Sequence, residues 1–231
     1  MNPSSDSSLP FAERFRALVR GNAFPCVGAK SALSRDQLEI VIARDIESTS
    51  DDVRIYSALL KFALAYKDAP RLFQSFVVVF TERNVTSEGA FERALWRRVQ
   101  GMADQDARQG HGYDKRVSPD PADPHFSLSF GGEGFFVVGL HPKASRASRR
   151  FERPALVFNP HDQFVRLRDD GRYEPLREKI IARDVALAGD VNPMLARHGE
   201  KSEARQYSGR AVGDDWACPF TQSSKAPARA A

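Results

Sequence analysis

Two histidines in one short stretch are the first residues that could do chemistry. His141 and His161 lie in GLHPKASRASRRFERPALVFNPHDQF, residues 139–164, each next to a proline and each at the end of an apolar run. Side chains just past a strand often point into a pocket, and a neutral imidazole is a common metal ligand. A lone histidine in this position is more often structural, so the spacing alone leaves both interpretations open.

An arginine cluster separates the two histidines. Arg146, Arg149 and Arg150 have the spacing i, i+3, i+4, which would place their guanidiniums on one side of a helical turn. Guanidinium groups match carboxylates and phosphates two hydrogen bonds at a time. A haem would use both features, because its iron takes an axial imidazole or thiolate and its two propionates take cations. A solvated surface is the competing interpretation.

The two cysteines are the other possible iron ligands. Cys26 ends FPC and Cys218 begins CPF. Two thiols are too few for a four-thiolate zinc or iron–sulfur site or for a disulfide scaffold. A thiolate beside proline could ligate haem iron, and Cys26 is therefore the main rival of His141. Both cysteines could equally be small buried apolar residues.

Carboxylates in the polar segment 189–210 could bind a cationic substrate. Asp190, Glu200 and Glu203 are the candidates, since a carboxylate pairs with a guanidinium through two parallel hydrogen bonds. The segment has no clear periodicity, and loops of this kind often carry function. A solvated loop is the alternative.

Several classes of function receive no support from the sequence. There is no GxxxxGK[ST], GxGxxG or HExxH motif. The net charge of +4, from 34 Lys and Arg against 30 Asp and Glu, is too small to indicate a nucleic-acid partner. We find no signal peptide and no run of about 18 apolar residues, which predicts a cytoplasmic protein that does not span a membrane.

Hydrophobic periodicity predicts the elements that position these residues. The predicted helices are 11–19, 34–46 with Ser34 as N-cap, 51–68, 86–108 and 173–188. The predicted strands are 74–80, a half-exposed 126–130, 135–140 and 155–158, with GGEG at 131–134 as a hairpin turn. This pattern predicts one α+β domain over residues 10–220, with a mixed or antiparallel sheet of about four strands. Residues 1–9 and 221–231 are expected to be flexible.

Several motifs together resemble one known family. FPCVGAKSAL at 24–33, the 139–164 stretch, LAGDVNPML at 187–195, and SEARQYSG with WACPF up to residue 220 occur in the order found in the YqcI/YcgG family. The resemblance extends from Phe11 to Phe220, which is nearly the whole chain.

The resemblance implies an activity, because some members of this family are haem-dependent oxygenases that hydroxylate a guanidine nitrogen. By this likeness the chain would bind haem b, activate O2 and take electrons from a separate reductase to hydroxylate arginine or a similar metabolite. The local chemistry then makes His141 the expected axial ligand, ahead of Cys26 and His161. The arginine cluster would hold the propionates, and the three carboxylates would hold the substrate. The alternatives are a haem-binding sensor or carrier, and a haem-free protein that binds an anionic metabolite through its arginines.

Overall fold

Seven helices and five strands form the described part of the computed structural model, residues 10–197 and 199–223. The helices are α1 (Phe11–Arg20), α2 (Val27–Ser34), α3 (Asp52–Asp68), α4 (Glu88–Arg108), α5 (Asp162–Asp169), α6 (Tyr173–Ala188) and α7 (Ala204–Tyr207). The strands are β1 (Leu38–Ala43), β2 (Ser75–Phe80), β3 (Leu128–Phe130), β4 (Glu133–Leu140) and β5 (Ala155–Pro160). Of the ends predicted to be flexible, 1–9 and 221–231, residues 1–9 and 224–231 lie outside the described residues.

The strands form one mixed sheet in the order β1-β2-β5-β4-β3. β1 and β2 are parallel, and every other neighbouring pair is antiparallel. This confirms the predicted single α+β domain with a mixed sheet. The sheet has five strands rather than about four because β1 was not predicted.

The helix predicted over residues 34–46 is wrong. α2 ends at Ser34, and residues 38–43 form β1 on the edge of the sheet. Asp36 has a φ of 53°, which is outside the helical range and reverses the chain between α2 and β1. The segment LEIVIA is rich in β-branched residues and gains a full parallel ladder with β2, which an isolated helix could not match. Short apolar runs fit both periods, and tertiary pairing decides between them.

The strand predicted over residues 126–130 is buried instead of half-exposed. Both of its serines are buried because their hydroxyls have partners inside the protein. The Ser127 hydroxyl donates to Glu203 Oε2 at 2.6 Å, and the Ser129 hydroxyl accepts from the backbone N–H of Asp114 at 2.9 Å. Polar residues at alternate positions therefore do not mark a solvent-exposed face here.

The hairpin predicted at GGEG is confirmed. Phe130 and Glu133 pair across a two-residue turn whose glycines, Gly131 and Gly132, have φ values of 61° and 75°. Two positive φ values are typical of the tight turns that match the twist of a hairpin, and glycine adopts them without strain.

Helices cover both faces of the sheet and create two apolar cores. One core includes Leu59, Leu95 and Phe158 and lies against α3 and α4, and the other includes Phe15 and Val77 and lies against α1 and α2. All six residues of β2 are buried, as expected for a central strand covered on both sides. Within the described residues, no helix is long and apolar enough to cross a membrane.

Candidate functional site

The two histidines of the 139–164 stretch lie at opposite ends of the β4–β5 ladder. His141 follows the last residue of β4, whereas the backbone N–H of His161 donates to the carbonyl of Gly134, at the start of β4, at 2.7 Å. At about 3.4 Å per residue, the length of β4 separates them by roughly 20 Å. One metal ion or one haem iron cannot bind both.

His141 is fully buried, and its imidazole is without a hydrogen-bond partner in the described part of the chain. Its ring stacks on Phe91 with a centroid distance of 4.2 Å and an interplanar angle of 23°. Neither ring nitrogen has a hydrogen-bond partner among the described residues. Burial lowers the pKa of His141 to about 4, so the imidazole is neutral at pH 7 and keeps a lone pair for a ligand bond. Buried polar groups are nearly always hydrogen-bonded, and this exception needs an explanation.

A glycine in β4 allows the stack to form. A Cβ at Gly139 would lie 2.5 Å from Cε1 of Phe91 and 2.9 Å from the carbonyl oxygen of Tyr207. Any larger residue would push the Phe91 ring away from the strand and from His141. Neither Phe91 nor Gly139 was predicted from the sequence to belong to a functional site, because their contact depends on how α4 packs against β4.

The predicted arginine turn is present, but its guanidiniums do not form one anion-binding face. A short 3-10 turn spans Ala147–Arg149. Arg146 donates to Asp184 Oδ2 at 2.8 Å and to Asp190 Oδ1 at 2.9 Å, so two carboxylates already occupy it. The prediction that Arg146 shares an open cationic face with Arg149 and Arg150 is wrong, because α6 and the residues after it supply these carboxylates.

Arg149 and Arg150 bind neutral backbone carbonyls instead. Arg150 donates to the carbonyls of Ala144 and Ser145, both at 2.7 Å, which fixes the loop after β4. Arg149 donates to the carbonyls of Gly139 and Gln206, both at 3.2 Å. Since these hydrogen bonds are long and their acceptors carry no charge, Arg149 is the member of the cluster best able to attract an anion.

Cys26 lies close enough to Arg149 for the charge of the guanidinium to affect the pKa of the thiol. Burial raises the pKa of the Cys26 thiol, and the guanidinium of Arg149 lowers it in part. Burial is also the main cause of the lowered pKa of His141, and the same guanidinium lowers that pKa further. Cys26 caps α2, its sulfur accepting the N–H of Ala29 at 3.4 Å. With its raised pKa the thiol is protonated at neutral pH, so Cys26 is a weaker candidate for a metal ligand than the neutral imidazole of His141. We call His141, Phe91, Arg149 and Cys26 the His141 cluster.

The three carboxylates proposed for substrate binding lie in three different places. Asp190 pairs with Arg146. Glu203 is engaged by Ser127 and lies 3.7 Å from His161, measured from Oε1 to Nε2. Glu200 is exposed, and its Oε2 accepts the backbone N–H of Arg197 at 2.8 Å. The structure does not bring these carboxylates together around one substrate group.

Glu200 does line a cleft of about 370 Å³. The remaining lining residues come from the same polar segment and the residues just after it: Pro193, Met194, Leu195, Ala196, Lys201, Ser202, Arg205, Val212, Gly213 and Asp214. The polar segment is therefore partly the wall of a cavity and not simply a solvated loop.

Sequence reasoning missed a group of charges beside His161. Arg116 hydrogen-bonds to the carboxylates of Asp114, Glu133 and Asp162 at distances between 2.6 and 3.1 Å. Burial raises the pKa of Glu133 to about 7, and Arg116 lowers it only in part. Arg116 lies in a segment interpreted only as a loop and Glu133 in a motif interpreted only as a turn. Among the described residues, no group of three or more His, Cys, Asp or Glu side chains is arranged to hold a metal ion.

Comparison with known proteins identifies the family. A model of the YqcI/YcgG family matches residues 15–221, which include Cys26, both histidines and the cleft. The chain belongs to the YqcI/YcgG family. The resemblance seen in the sequence motifs is thereby confirmed. No curated protein and no solved structure matches the chain.

In this YqcI/YcgG protein, the side chains around His141 have the donor groups that a haem needs. Their packing leaves no space for the haem ring beside the imidazole. His141 supplies an imidazole whose nitrogens have no other described partner, and Arg149 supplies one cation for a propionate. Phe91 covers one face of the His141 ring, and the ring has no exposed surface. Haem binding at His141 therefore requires the neighbouring side chains to move apart.

Proposed function

We propose that this YqcI/YcgG protein is a cytoplasmic, haem-dependent monooxygenase that hydroxylates a guanidine nitrogen of arginine or a similar metabolite. The family likeness suggests the reaction. The observation that carries it in this chain is His141, a buried, neutral imidazole with no hydrogen-bond partner for either nitrogen among the described residues. An unpaired buried imidazole costs stability, and binding iron would satisfy it.

The protein's own residues would hold and shield the cofactor. The imidazole of His141 would hold the iron of haem b, and the guanidinium of Arg149 would hold one propionate. When bound, haem would supply the iron chemistry that activates O2, so that one oxygen atom enters an N–H bond of the guanidine and the other leaves as water, with two electrons from a separate reductase and two protons from solvent. Phe91 orients the imidazole by stacking and excludes water from one of its faces.

Absorption spectra test the cofactor and its ligand. Purified protein is mixed with hemin, reduced with dithionite and exposed to carbon monoxide. Histidine ligation is expected to give a band at about 420 nm, and thiolate ligation a band at about 450 nm. His141→Ala should abolish the spectrum, while His161→Ala and Cys26→Ser should retain it. A protein that gives no Soret band with hemin would refute the proposal.

A matched pair of arginine variants tests the propionate contact. Arg149→Gln is expected to weaken hemin binding, whereas Arg150→Gln, whose partners are the carbonyls of its own loop, should leave it nearly unchanged. Equal effects would show that Arg149 has no special role. A product 16 mass units heavier than arginine, formed with a reductase, separates an oxygenase from a haem sensor or carrier.

Arg149 also supports a second candidate, a haem-free protein that binds a carboxylate or phosphate metabolite. Its guanidinium hydrogen-bonds only to neutral carbonyls among the described residues, so an anion of either kind would suit it. In that case, Arg149→Gln would weaken the binding of the metabolite in a protein without visible absorbance.

A further inference from the structure

We propose that the cleft lined by residues 193–196, 200–202, 205 and 212–214 binds the α-carboxylate and α-ammonium groups of a free amino acid. This inference rests on the proposed function, because it takes the bound amino acid to be the guanidine substrate of the hydroxylase. The cleft is lined by two positively charged side chains, Lys201 and Arg205, and by two negatively charged ones, Glu200 and Asp214. A ligand that carries one carboxylate and one ammonium group on neighbouring atoms complements such a set.

Arg205 is held ready to bind a carboxylate. Its Nη2 donates to the carbonyls of Val212 at 3.3 Å and Gly213 at 2.8 Å, and its guanidinium lies 6.0 Å from the centroid of the Trp216 ring. The side chain is only 16% exposed. A guanidinium that is already fixed in place loses little freedom when it binds a ligand.

The charges in the cleft are paired only loosely. Asp214 Oδ1 lies 3.7 Å from Arg205 and 3.8 Å from Lys201, and both distances are longer than a hydrogen bond. Asp214 itself is almost fully exposed. A ligand carboxylate can therefore approach Arg205 more closely than Asp214 does, and a ligand ammonium can bind Asp214 or Glu200 without breaking a short ion pair.

The size and walls of the cleft also suit an amino acid. Its volume of about 370 Å³ lies at the small end of the range for small-molecule sites. Pro193, Met194, Leu195 and Val212 give it apolar walls, against which the methylene groups of an amino-acid side chain can pack.

One turn of helix connects this cleft to the His141 cluster. In α7, Arg205 lines the cleft, and the carbonyl of the next residue, Gln206, accepts a hydrogen bond from Arg149 at 3.2 Å. The following residue, Tyr207, lies against Gly139 of β4. Binding in the cleft would therefore act on the turn that positions Arg149.

Calorimetry on the haem-free protein tests the inference with three probes. L-Arginine has both head groups, agmatine lacks the carboxylate, and 5-guanidinopentanoate lacks the amino group. We expect agmatine and 5-guanidinopentanoate each to bind at least about 10-fold more weakly than arginine, the usual effect of losing one charge-assisted hydrogen bond. Equal affinity for arginine and agmatine, or no binding of arginine, would overturn the inference.

Substitutions then locate the site. Arg205→Gln should reduce the affinity for arginine to that for agmatine and leave agmatine binding unchanged, since agmatine has no group for Arg205. Lys201→Gln, at a largely exposed position, gives a second test that does not disturb the carbonyl contacts of Arg205. Exposed residues outside the cleft supply the matched controls Lys61→Gln and Glu39→Gln. Undiminished preference for arginine in both Arg205→Gln and Lys201→Gln would place the binding site elsewhere.

These measurements do not depend on the haem experiment. Selective arginine binding without a Soret band would refute the oxygenase proposal and leave the cleft as an amino-acid site. A histidine-type spectrum without arginine binding would refute the cleft and leave the oxygenase proposal standing.

Discussion

Replacing His141 with leucine is expected to protect the haem-free protein against acid. In the folded state burial lowers the pKa of His141 from 6.5 to about 4, so between these values the unfolded chain binds a proton that the folded chain does not. A histidine with a lowered pKa gives stability that is fully present above pH 6.5 and is lost as the pH falls through 4. Leucine has no titrating group and removes this loss.

The size of the effect follows from the pKa interval. At 1.36 kcal/mol per pH unit, the interval between 6.5 and about 4 corresponds to about 3 kcal/mol in total and about 2.5 kcal/mol by pH 4.5. Carboxylates titrate in the same range, but their contribution is common to both proteins. The difference between wild type and His141→Leu therefore isolates the imidazole.

Urea unfolding at several pH values between 4.5 and 7.5 measures this difference. The free energy of unfolding of wild type should fall relative to that of His141→Leu by about 2.5 kcal/mol between pH 7.5 and 4.5, at equal m-values. His125→Gln is the control, because His125 is 61% exposed and its replacement should change the curve by less than about 0.5 kcal/mol. Parallel curves for wild type and His141→Leu, or an NMR midpoint for His141 near 6.5, would refute the buried, unpaired imidazole.

Three further substitutions test buried groups near His141 and near His161. Arg146→Ala leaves Asp184 buried without its partner and is expected to cost about 3–5 kcal/mol in urea unfolding. Gly139→Ala forces its Cβ against Phe91 and should cost about 1–3 kcal/mol. The stability of Glu133→Gln relative to that of wild type should increase by up to about 3 kcal/mol as the pH rises from 4.5 through 7, since ionising a carboxyl whose folded-state pKa is raised destabilises the wild-type fold.

Each of these has a control and a contrary outcome. Arg172→Ala removes an exposed ion pair with Asp170 at 3.9 Å and should lower the free energy of unfolding by less than about 0.5 kcal/mol. If Arg146→Ala lowered it by no more than this, the pair between Arg146 and Asp184 would not be buried and stabilising as described. Gly89→Ala, at the start of α4 with only the Arg93 side chain nearby, should be neutral or slightly stabilising, and the same result at Gly139 would contradict the close approach of Phe91. A difference between wild type and Glu133→Gln that does not vary with pH would show that this carboxyl has an ordinary pKa.

The long, regular segments could be predicted from their periodicity. The helix expected over 86–108 is α4, the helix expected over 173–188 is α6, and the apolar run at 74–80 contains β2. Each is long enough, or apolar enough on both faces, for one period to dominate. Leu38–Ala43 is short, and its apolar residues fit a helix as well as a strand. Its structure is decided by β2, a partner that local sequence does not reveal.

The binding partners of Arg146, Arg149 and Arg150 could not be predicted from their spacing in the sequence. The i, i+3, i+4 rule describes which side chains of a helix are neighbours, but the observed turn spans only three residues. The partner of Arg146 is Asp184, which lies 38 residues away on α6. Charge pairs at such separations depend on tertiary packing, so a cluster of cations in a sequence does not show that they are free to bind a ligand.

The separation of the two histidines was, in principle, accessible from the strands. Consecutive strands that are neighbours in a sheet are usually antiparallel when a loop without a helix joins them. Residues that follow two such strands lie at opposite ends of the pair, as His141 and His161 do. Pairing the predicted strands 135–140 and 155–158 as an antiparallel ladder is sufficient to place the two imidazoles far apart.

Because the two histidines cannot share one ligand, each must be judged by itself. The free-energy cost of burying an unpaired imidazole makes His141 more informative about function than His161. At the other end of the ladder, His161 lies beside Glu203 and next to the charges around Arg116, so a structural role accounts for its burial. His141 has no such neighbour for its nitrogens in the described part of the chain, and a leucine of similar size would avoid the penalty of an unpaired polar group. If His141→Leu is more stable than wild type at pH 7 and also fails to bind hemin, the imidazole is retained for the ligand and not for the fold. If the variant is less stable at pH 7, packing alone explains the histidine, and Cys26 becomes the next candidate for the iron ligand.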